Sequence, residues 1–156
     1  MTKILIAVDD SSAAQHAVEY AAKHFNKTDG IEIGLVHVLP NLPAIFWDEG
    51  HILSDGEKTE RKKIVDKWIV DNRNRMEPLL QRAQTVLTSA GIPAGKIQTK
   101  FISDSTDAAD SVLEEANDSG YKVVIVGRSR SSKHVLGTMA GKIVGRGAGL
   151  VVTIVD

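Results

Sequence analysis

Residues 122–138 read Lys-Val-Val-Ile-Val-Gly-Arg-Ser-Arg-Ser-Ser-Lys-His-Val-Leu-Gly-Thr. The apolar, β-branched half of this stretch ends at Gly127 and is typical of a buried strand. A polar, cationic loop follows, and Gly137 and Thr138 then open a helix-like segment. Because open α/β sheets bind ligands at the carboxyl ends of their strands, this loop is the first candidate binding site.

The composition of the 156 residues predicts a single domain over 1–156. Nineteen Lys and Arg face 20 Asp and Glu, and this balance argues against a nucleic-acid partner. Cysteine is absent, which excludes disulfides and thiolate chemistry. No apolar stretch approaches the roughly 18 residues of a membrane span. We therefore expect a cytoplasmic protein with no membrane partner.

Strand-like and helix-like segments alternate along the chain. Apolar runs predict five strands: Ile4–Val8, Ile31–Leu39, Lys96–Ser103, Val123–Val126 and Leu150–Val155. Apolar residues at helical spacing predict helices over 13–25, 57–90, 108–116 and 137–145. This order predicts an α/β fold of three layers, α/β/α, around a five-stranded parallel sheet.

Local signals refine the helices. In the long second helix, one apolar stripe runs from Ile64 to Ala90. Pro78 is expected to kink or split this helix near Glu77, and Gly91 is expected to end it. The residues 104–106, Asp-Ser-Thr, are expected to cap the third helix.

Chemistry-bearing residues gather at two strand ends. Gly127 allows a phosphate or a ring to approach the backbone, and the helix start at Gly137 and Thr138 favours an anion. The loop between them adds basic residues: Arg128, Arg130, Lys133 and His134. Asp9 ends the first strand, where it either caps the first helix or bonds a ribose or base. Both roles are compatible, since neighbouring side chains at a strand end point differently.

Catalytic and metal motifs fail on spacing. The Gly-Arg-Ser-Arg-Ser run at 127–131 is close to a hydrolase elbow, but only His134 and Asp156 follow as triad partners. Gly137 to Lys142 is one residue short of a P-loop, and Ile143 replaces its metal-binding hydroxyl. His37, on an apolar strand, is interpreted as a core histidine, and His16 and His24 as solvent-facing. We expect no catalytic residue and no metal site.

The order and spacing of several pieces resemble the universal stress protein family over the whole chain. The matching segments are 4–11, 35–38, 104–116, 123–127, 137–138 and 151–155. The resemblance implies a Rossmann-like fold of the adenine nucleotide alpha-hydrolase-like type. It also implies a homodimer paired through the last strand, and ATP or AMP bound between the first and fourth strands, with Mg²⁺ only if ATP binds.

Carried over residue by residue, the resemblance implies a nucleotide site made of Ala7, Asp9, Val38, Val126, Gly127, Ser129, Arg130, Gly137, Thr138 and Met139. The family pattern Gly-x-x-Gly, nine residues, Gly-Ser/Thr is changed here, because Arg130 replaces the second glycine and six residues form the spacer. Two alternatives follow. Arg130 bonds phosphate through its guanidinium, or it fills the site and excludes ATP.

Two functions are consistent with this reading. The first is a stress-response or signalling protein that binds an adenine nucleotide and hydrolyses it slowly at most, since no residue is placed as a base or nucleophile. The alternative is a family member that binds no nucleotide and acts as a dimeric protein-interaction module. The loop Pro40–Gly56, with Phe46 and Trp47, would then contact a partner protein.

Overall fold

The computed structural model describes residues 1–42, 53–128 and 138–156, with Thr138 described by its backbone alone. The predicted site residues Ser129, Arg130 and Gly137 lie outside this range, and so do the aromatic residues Phe46 and Trp47.

The described residues form five strands and four α-helices in alternation. The strands are β1 Thr2–Ala7, β2 Ile31–Val38, β3 Ile97–Ile102, β4 Val123–Gly127 and β5 Val151–Val155. The helices are α1 Ser12–Phe25, α2 Asp55–Ser89, α3 Ala108–Asp118 and α4 Thr138–Arg146, and a 3₁₀ turn at Ala94–Lys96 precedes β3. All strand pairs are parallel, in the order β3-β2-β1-β4-β5. The predicted five-stranded parallel sheet is confirmed.

The sheet is covered on both faces, which confirms the three predicted layers. Along β1, Ile4 and Ile6 pack on the face covered by α1 and α2, whereas Leu5 packs on the face covered by α3 and α4. This alternation follows from the two-residue period of a strand. β1 is hydrogen-bonded to a neighbour on each side, so its carboxyl end lies at the middle of the sheet edge.

The start of α2 and the capping residue of α3 differ from the prediction. α2 begins at Asp55 because Ser54 and Glu57 form a capping box, in which each side chain accepts a hydrogen bond from the other residue's backbone N–H, at 3.2 and 2.9 Å. α3 is capped by Asp107, whose Oδ1 accepts hydrogen bonds from two backbone N–H groups of its first turn. The expected cap at residues 104–106 was wrong, and Asp104 instead has a left-handed φ of 58°.

α2 is a single helix of 35 residues that passes through Pro78 without splitting. At 1.5 Å per residue it is about 52 Å long, whereas the longest strand has eight residues and spans about 26 Å. The predicted apolar stripe is therefore buried only in its second half, and Ile64 is 51% exposed. The end of α2 is as predicted, since Gly91 adopts a φ of 107° and donates to Thr88 O. No helix of the described residues is long and apolar enough to cross a membrane.

Gly127 is the point of closest approach between α1 and the sheet. A Cβ placed at Gly127 would lie 2.7 Å from the Cβ of Ala13 and closer still to the Ala13 carbonyl group. The first turn of α1 therefore rests directly on the end of β4. The sequence predicted a close approach of a ligand at this glycine, and the structure shows a close approach of the chain's own backbone.

We expect Gly127→Ala to destabilise the fold by about 1–3 kcal/mol, the usual cost of overpacking a well-packed contact. Gly145→Ala is the matched control, because a Cβ at this helical glycine of α4 meets no atom within 4 Å. The control should be neutral or stabilising by up to about 1 kcal/mol. Urea denaturation of both variants measures the difference, and equal stability of the two would contradict the assigned contact.

Candidate functional site

A cavity of about 150 Å³ lies at the carboxyl ends of β1 and β4. These neighbouring strands are followed by helices on opposite faces of the sheet, α1 and α4. Parallel sheets bind ligands in the crevice at such a switch point. Six of the ten predicted site residues line the cavity: Ala7, Asp9, Val38, Val126, Gly127 and Met139.

Asp9 borders the cavity next to the start of α1, but the cap of α1 is Ser11. Asp9 Oδ1 accepts a hydrogen bond from the backbone N–H of Ser11 at 2.8 Å and another from the Ser11 hydroxyl. Ser11 in turn caps α1, since its Oγ accepts from Ala14 N at 3.1 Å. Within the described part of the chain, Asp9 Oδ2 has no hydrogen-bond partner. It therefore remains available as an acceptor beside the cavity.

The turn that carries Asp9 is held by His37. The side chain of His37 is 8% exposed, and its Nδ1 donates to Val8 O at 2.7 Å. This bond continues the β1–β2 ladder past the last backbone bond, which runs from Val8 N to Val36 O at 2.8 Å. The predicted core role of His37 is confirmed, and His16 and His24 are exposed as predicted. The position of Asp9 thus depends on a side chain of the neighbouring strand.

The cavity has the size and polarity expected of a site for a ring. A 150 Å³ cavity with apolar walls is large enough for one six-membered aromatic ring. Val38, Val126 and Met139 supply apolar surface here. Asp9 is the one formally charged side chain among the described lining residues. The described part of the site therefore suits an uncharged ring system whose hydroxyl groups donate to a carboxylate.

Other lining residues were missed by sequence reasoning. They are Val8, Ser11, Ala14, Val36, His37, Val112 and Ala140. Val112 belongs to α3, which crosses from β3 back to β4 on the face of α4. The right-handed rule for such crossovers would have placed α3 over this site.

Some predicted residues are not brought to the cavity. Arg128, one of the candidate loop cations, donates its backbone N–H to Val155 O at 2.7 Å, and its guanidinium forms an ion pair with Asp156. Its charge is thus directed towards the end of β5. Thr138 is the first residue of α4, so its backbone lies at a helix N-terminus as predicted. Within residues 1–42, 53–128 and 138–156, no group of three His, Asp or Glu residues is placed to hold a metal ion.

Four charged side chains join α3 to α4 beside the site, and we refer to Asp107, Asp110, Lys142 and Arg146 as the α3–α4 cluster. Lys142 Nζ lies 2.7 Å from Asp107 Oδ2, and Arg146 Nη1 lies 3.6 Å from the same oxygen and 2.6 Å from Asp110 Oδ1. The hydrogen bond from Lys142, with backbone N–H groups of α3, lowers the pKa of Asp107 from 3.8 to about 2. Asp110 raises the pKa of Arg146.

Comparison with known proteins identifies the family. The model of the universal stress protein family matches residues 1–148, and the chain belongs to this family. Among curated proteins, none matches the sequence.

Solved structures of the family share the fold. A universal stress protein of Lactobacillus plantarum superposes with a TM-score of 0.68 at 14% identity, over 99% of this chain and 97% of its own. An Arabidopsis thaliana family protein with AMP bound has a TM-score of 0.65 at 17% identity, over 100% and 93%. The Archaeoglobus fulgidus protein in complex with dAMP has a TM-score of 0.61 at 16% identity, over 100% and 98%.

The Asp107 pKa predicts a specific acid sensitivity. Because the folded-state pKa is about 2 and the ordinary value is 3.8, the stability that Asp107 contributes is fully present above pH 3.8. It is lost as the pH falls towards 2. Asp107→Asn keeps a good helix cap and removes this titration. Denaturation at about pH 5.5 should show the wild type to be more stable than Asp107→Asn. At about pH 2.5 this difference in unfolding free energy between the two proteins should be smaller. A constant difference would contradict the assignment.

Proposed function

We propose that this protein binds an adenine nucleotide at the carboxyl ends of β1 and β4. The observation that supports the proposal best is the position and lining of the cavity at the carboxyl ends of β1 and β4, because six of the residues that the family resemblance implied line it. The AMP and dAMP complexes of its structural neighbours make an adenine nucleotide the first ligand class to test.

The chemistry of each part of the nucleotide fits a part of the site. The base would enter between the apolar side chains of Val38, Val126 and Met139. Asp9 Oδ2 would accept hydrogen bonds from ribose hydroxyl groups, which are donors. The N-terminus of α4 at Thr138 would face the phosphate, since free N–H groups and the helix dipole favour an anion.

We propose binding without efficient turnover. Asp9 and His37 are the described lining residues that could act as a general base. Asp9 is engaged by Ser11, and His37 is nearly buried and uses Nδ1 to hold β1. With nucleotide bound, the ribose hydroxyl groups would occupy Asp9 Oδ2, so neither residue would be free to activate a water and any hydrolysis of ATP should be slow.

The binding test is a melting experiment with adenosine, AMP, ATP with Mg²⁺, and GTP as the control ligand. Ligand at about 100 times its Kd should stabilise the protein by about 2.7 kcal/mol, which gives a clear rise in melting temperature. Tighter binding of ATP than of adenosine would favour a phosphate contact at the α4 N-terminus or Arg130, and weaker binding would favour exclusion of phosphate by Arg130. No shift with any adenine ligand would refute the proposal.

Asp9→Asn tests the ribose contact. Asparagine keeps the oxygen that accepts from Ser11 and replaces the free Oδ2 with an amide that donates. Loss of a charge-assisted hydrogen bond of about 1.5–3 kcal/mol corresponds to about a 10- to 150-fold rise in the adenosine Kd.

Asp10→Asn is the matched control, because Asp10 does not line the cavity at β1 and β4; it lines only the neighbouring cavity between α1 and α2, which Asp9 also borders. Calorimetric titration of both variants measures the two affinities. Equal Kd values for Asp9→Asn and the control would remove Asp9 from the site.

We also propose a homodimer paired through β5. β5 is an edge strand of the sheet, and Val151 on it is 61% exposed. Val151 N donates to Lys122 O and Val155 O accepts from Arg128 N, so the backbone groups of residues 151, 153 and 155 face β4. Those of Val152 and Ile154 face outward and are available to a second copy.

Val152→Pro should convert the dimer into a folded monomer, since proline removes an outward N–H that a partner strand needs. Thr153→Pro is the contrasting variant. Its N–H faces β4, so it should lower the stability of the monomer itself. Light scattering gives the mass, to be compared with 16.8 kDa for one chain. A dimer of undiminished affinity in Val152→Pro would place the interface elsewhere.

A further inference from the structure

We propose that Asp107 is a positioning residue for the nucleotide site, which acts by holding α4 against α3 through its ion pairs with Lys142 and Arg146. The inference rests on the proposed function, because it assigns the cause of the site's shape. Asp107 does not line the cavity at β1 and β4. Its effect on a ligand would be indirect.

α4 supplies one side of the cavity but has little apolar anchoring. Met139 and Ala140 line the cavity. Of the described side chains of this nine-residue helix, Ala140 and Ile143 are buried, whereas Val144 is 49% exposed. Two of its residues are glycines, which pack no side chain. The ion pairs of the α3–α4 cluster therefore add to the burial of Ala140 and Ile143 in fixing the position of this helix.

The α3–α4 cluster lies close to Met139, which forms part of the cavity wall. Met139 and Lys142 are three residues apart and so lie on the same face of α4. Behind Met139 is a second hollow of about 260 Å³, lined by Thr106, Asp107, Ala108, Ala109, Met139 and Lys142. Met139 is partly buried, because it packs against the apolar core on one side and borders this hollow on the other, so packing holds it on one side only. Lys142 and Asp107, which form an ion pair at 2.7 Å, both line this hollow.

Asp107 links the ion pair with Lys142 to the start of α3. Its Oδ1 caps α3 through the N–H groups of Ala109 and Asp110, while its Oδ2 accepts from Lys142. One carboxylate therefore fixes the start of α3 and the side of α4 together. A helix held in its bound position before the ligand arrives spares the ligand the entropy of ordering it. Exposed ion pairs contribute little to global stability, so the effect should be local.

The test uses adenosine, whose lack of charge excludes a direct electrostatic attraction to Lys142. Asp107→Asn keeps the cap of α3 and removes the charge. We expect the adenosine Kd to rise about fivefold, within the range for residues that act on a ligand without touching it. Lys142→Met should have the same effect, the double variant no larger one, and Lys142→Arg should retain wild-type affinity. Asp71→Asn is the matched control, since it removes the exposed Lys67–Asp71 pair on α2.

Hydrogen exchange gives a readout that does not depend on the ligand. In Asp107→Asn, amides of α4 should exchange faster while those of β1 and β4 are unchanged. Unchanged exchange in α4 would overturn the proposal. A loss of ATP affinity with intact adenosine affinity in Lys142→Met would also overturn it, because Lys142 would then contact phosphate directly. If wild-type protein binds no adenine ligand, the proposed function fails, and that failure is visible before any variant is made.

Discussion

The site depends on the contact between Gly127 and Ala13. The first turn of α1 lies on the end of β4 so closely that a side chain at position 127 would collide with the Ala13 carbonyl group. This contact sets the direction in which the chain leaves β1, and with it the turn that holds Asp9 and Ser11. The cavity exists because two strand ends are brought together while their helices leave on opposite faces. A glycine that looks like a ligand contact in the sequence is first a requirement of packing.

The two sides of the cavity are held by different forces. On the β1 and β2 side, fully buried side chains such as Ile6 and Leu35 and the hydrogen bond from His37 to Val8 fix the backbone. On the α4 side, two buried side chains and a set of exposed ion pairs do so. Burial is insensitive to salt, whereas exposed ion pairs are screened by it. The site thus combines a wall held by burial with one that is held in part by ion pairs, which salt screens.

The sequence predicted the strands, the sheet and the edge that carries the site, because these follow from local apolar periodicity and the positions of glycines. It placed Asp9 at the cavity, whereas the helix-cap role that it also allowed for Asp9 belongs to Ser11. It failed at the cap of α3, where residues 103–107 are all capable of capping and the path of the chain out of β3 selects Asp107. The contacts from Lys142 to Asp107 and from Gly127 to Ala13 join residues 35 and 114 positions apart. No local sequence pattern predicts such pairs, since they form only when the helices pack on the sheet.

The length of α2 implies that its two halves open on different timescales. Its second half is anchored by Met76, Leu80 and Leu87 and can open only when the core opens. Its first half is largely exposed and is stabilised by local pairs such as Lys67 with Asp71, which are weak. The first half should therefore fray and re-form many times while the second half stays closed. Although α2 is a single uninterrupted helix, its residues are expected to open together only in the part that packs on the sheet.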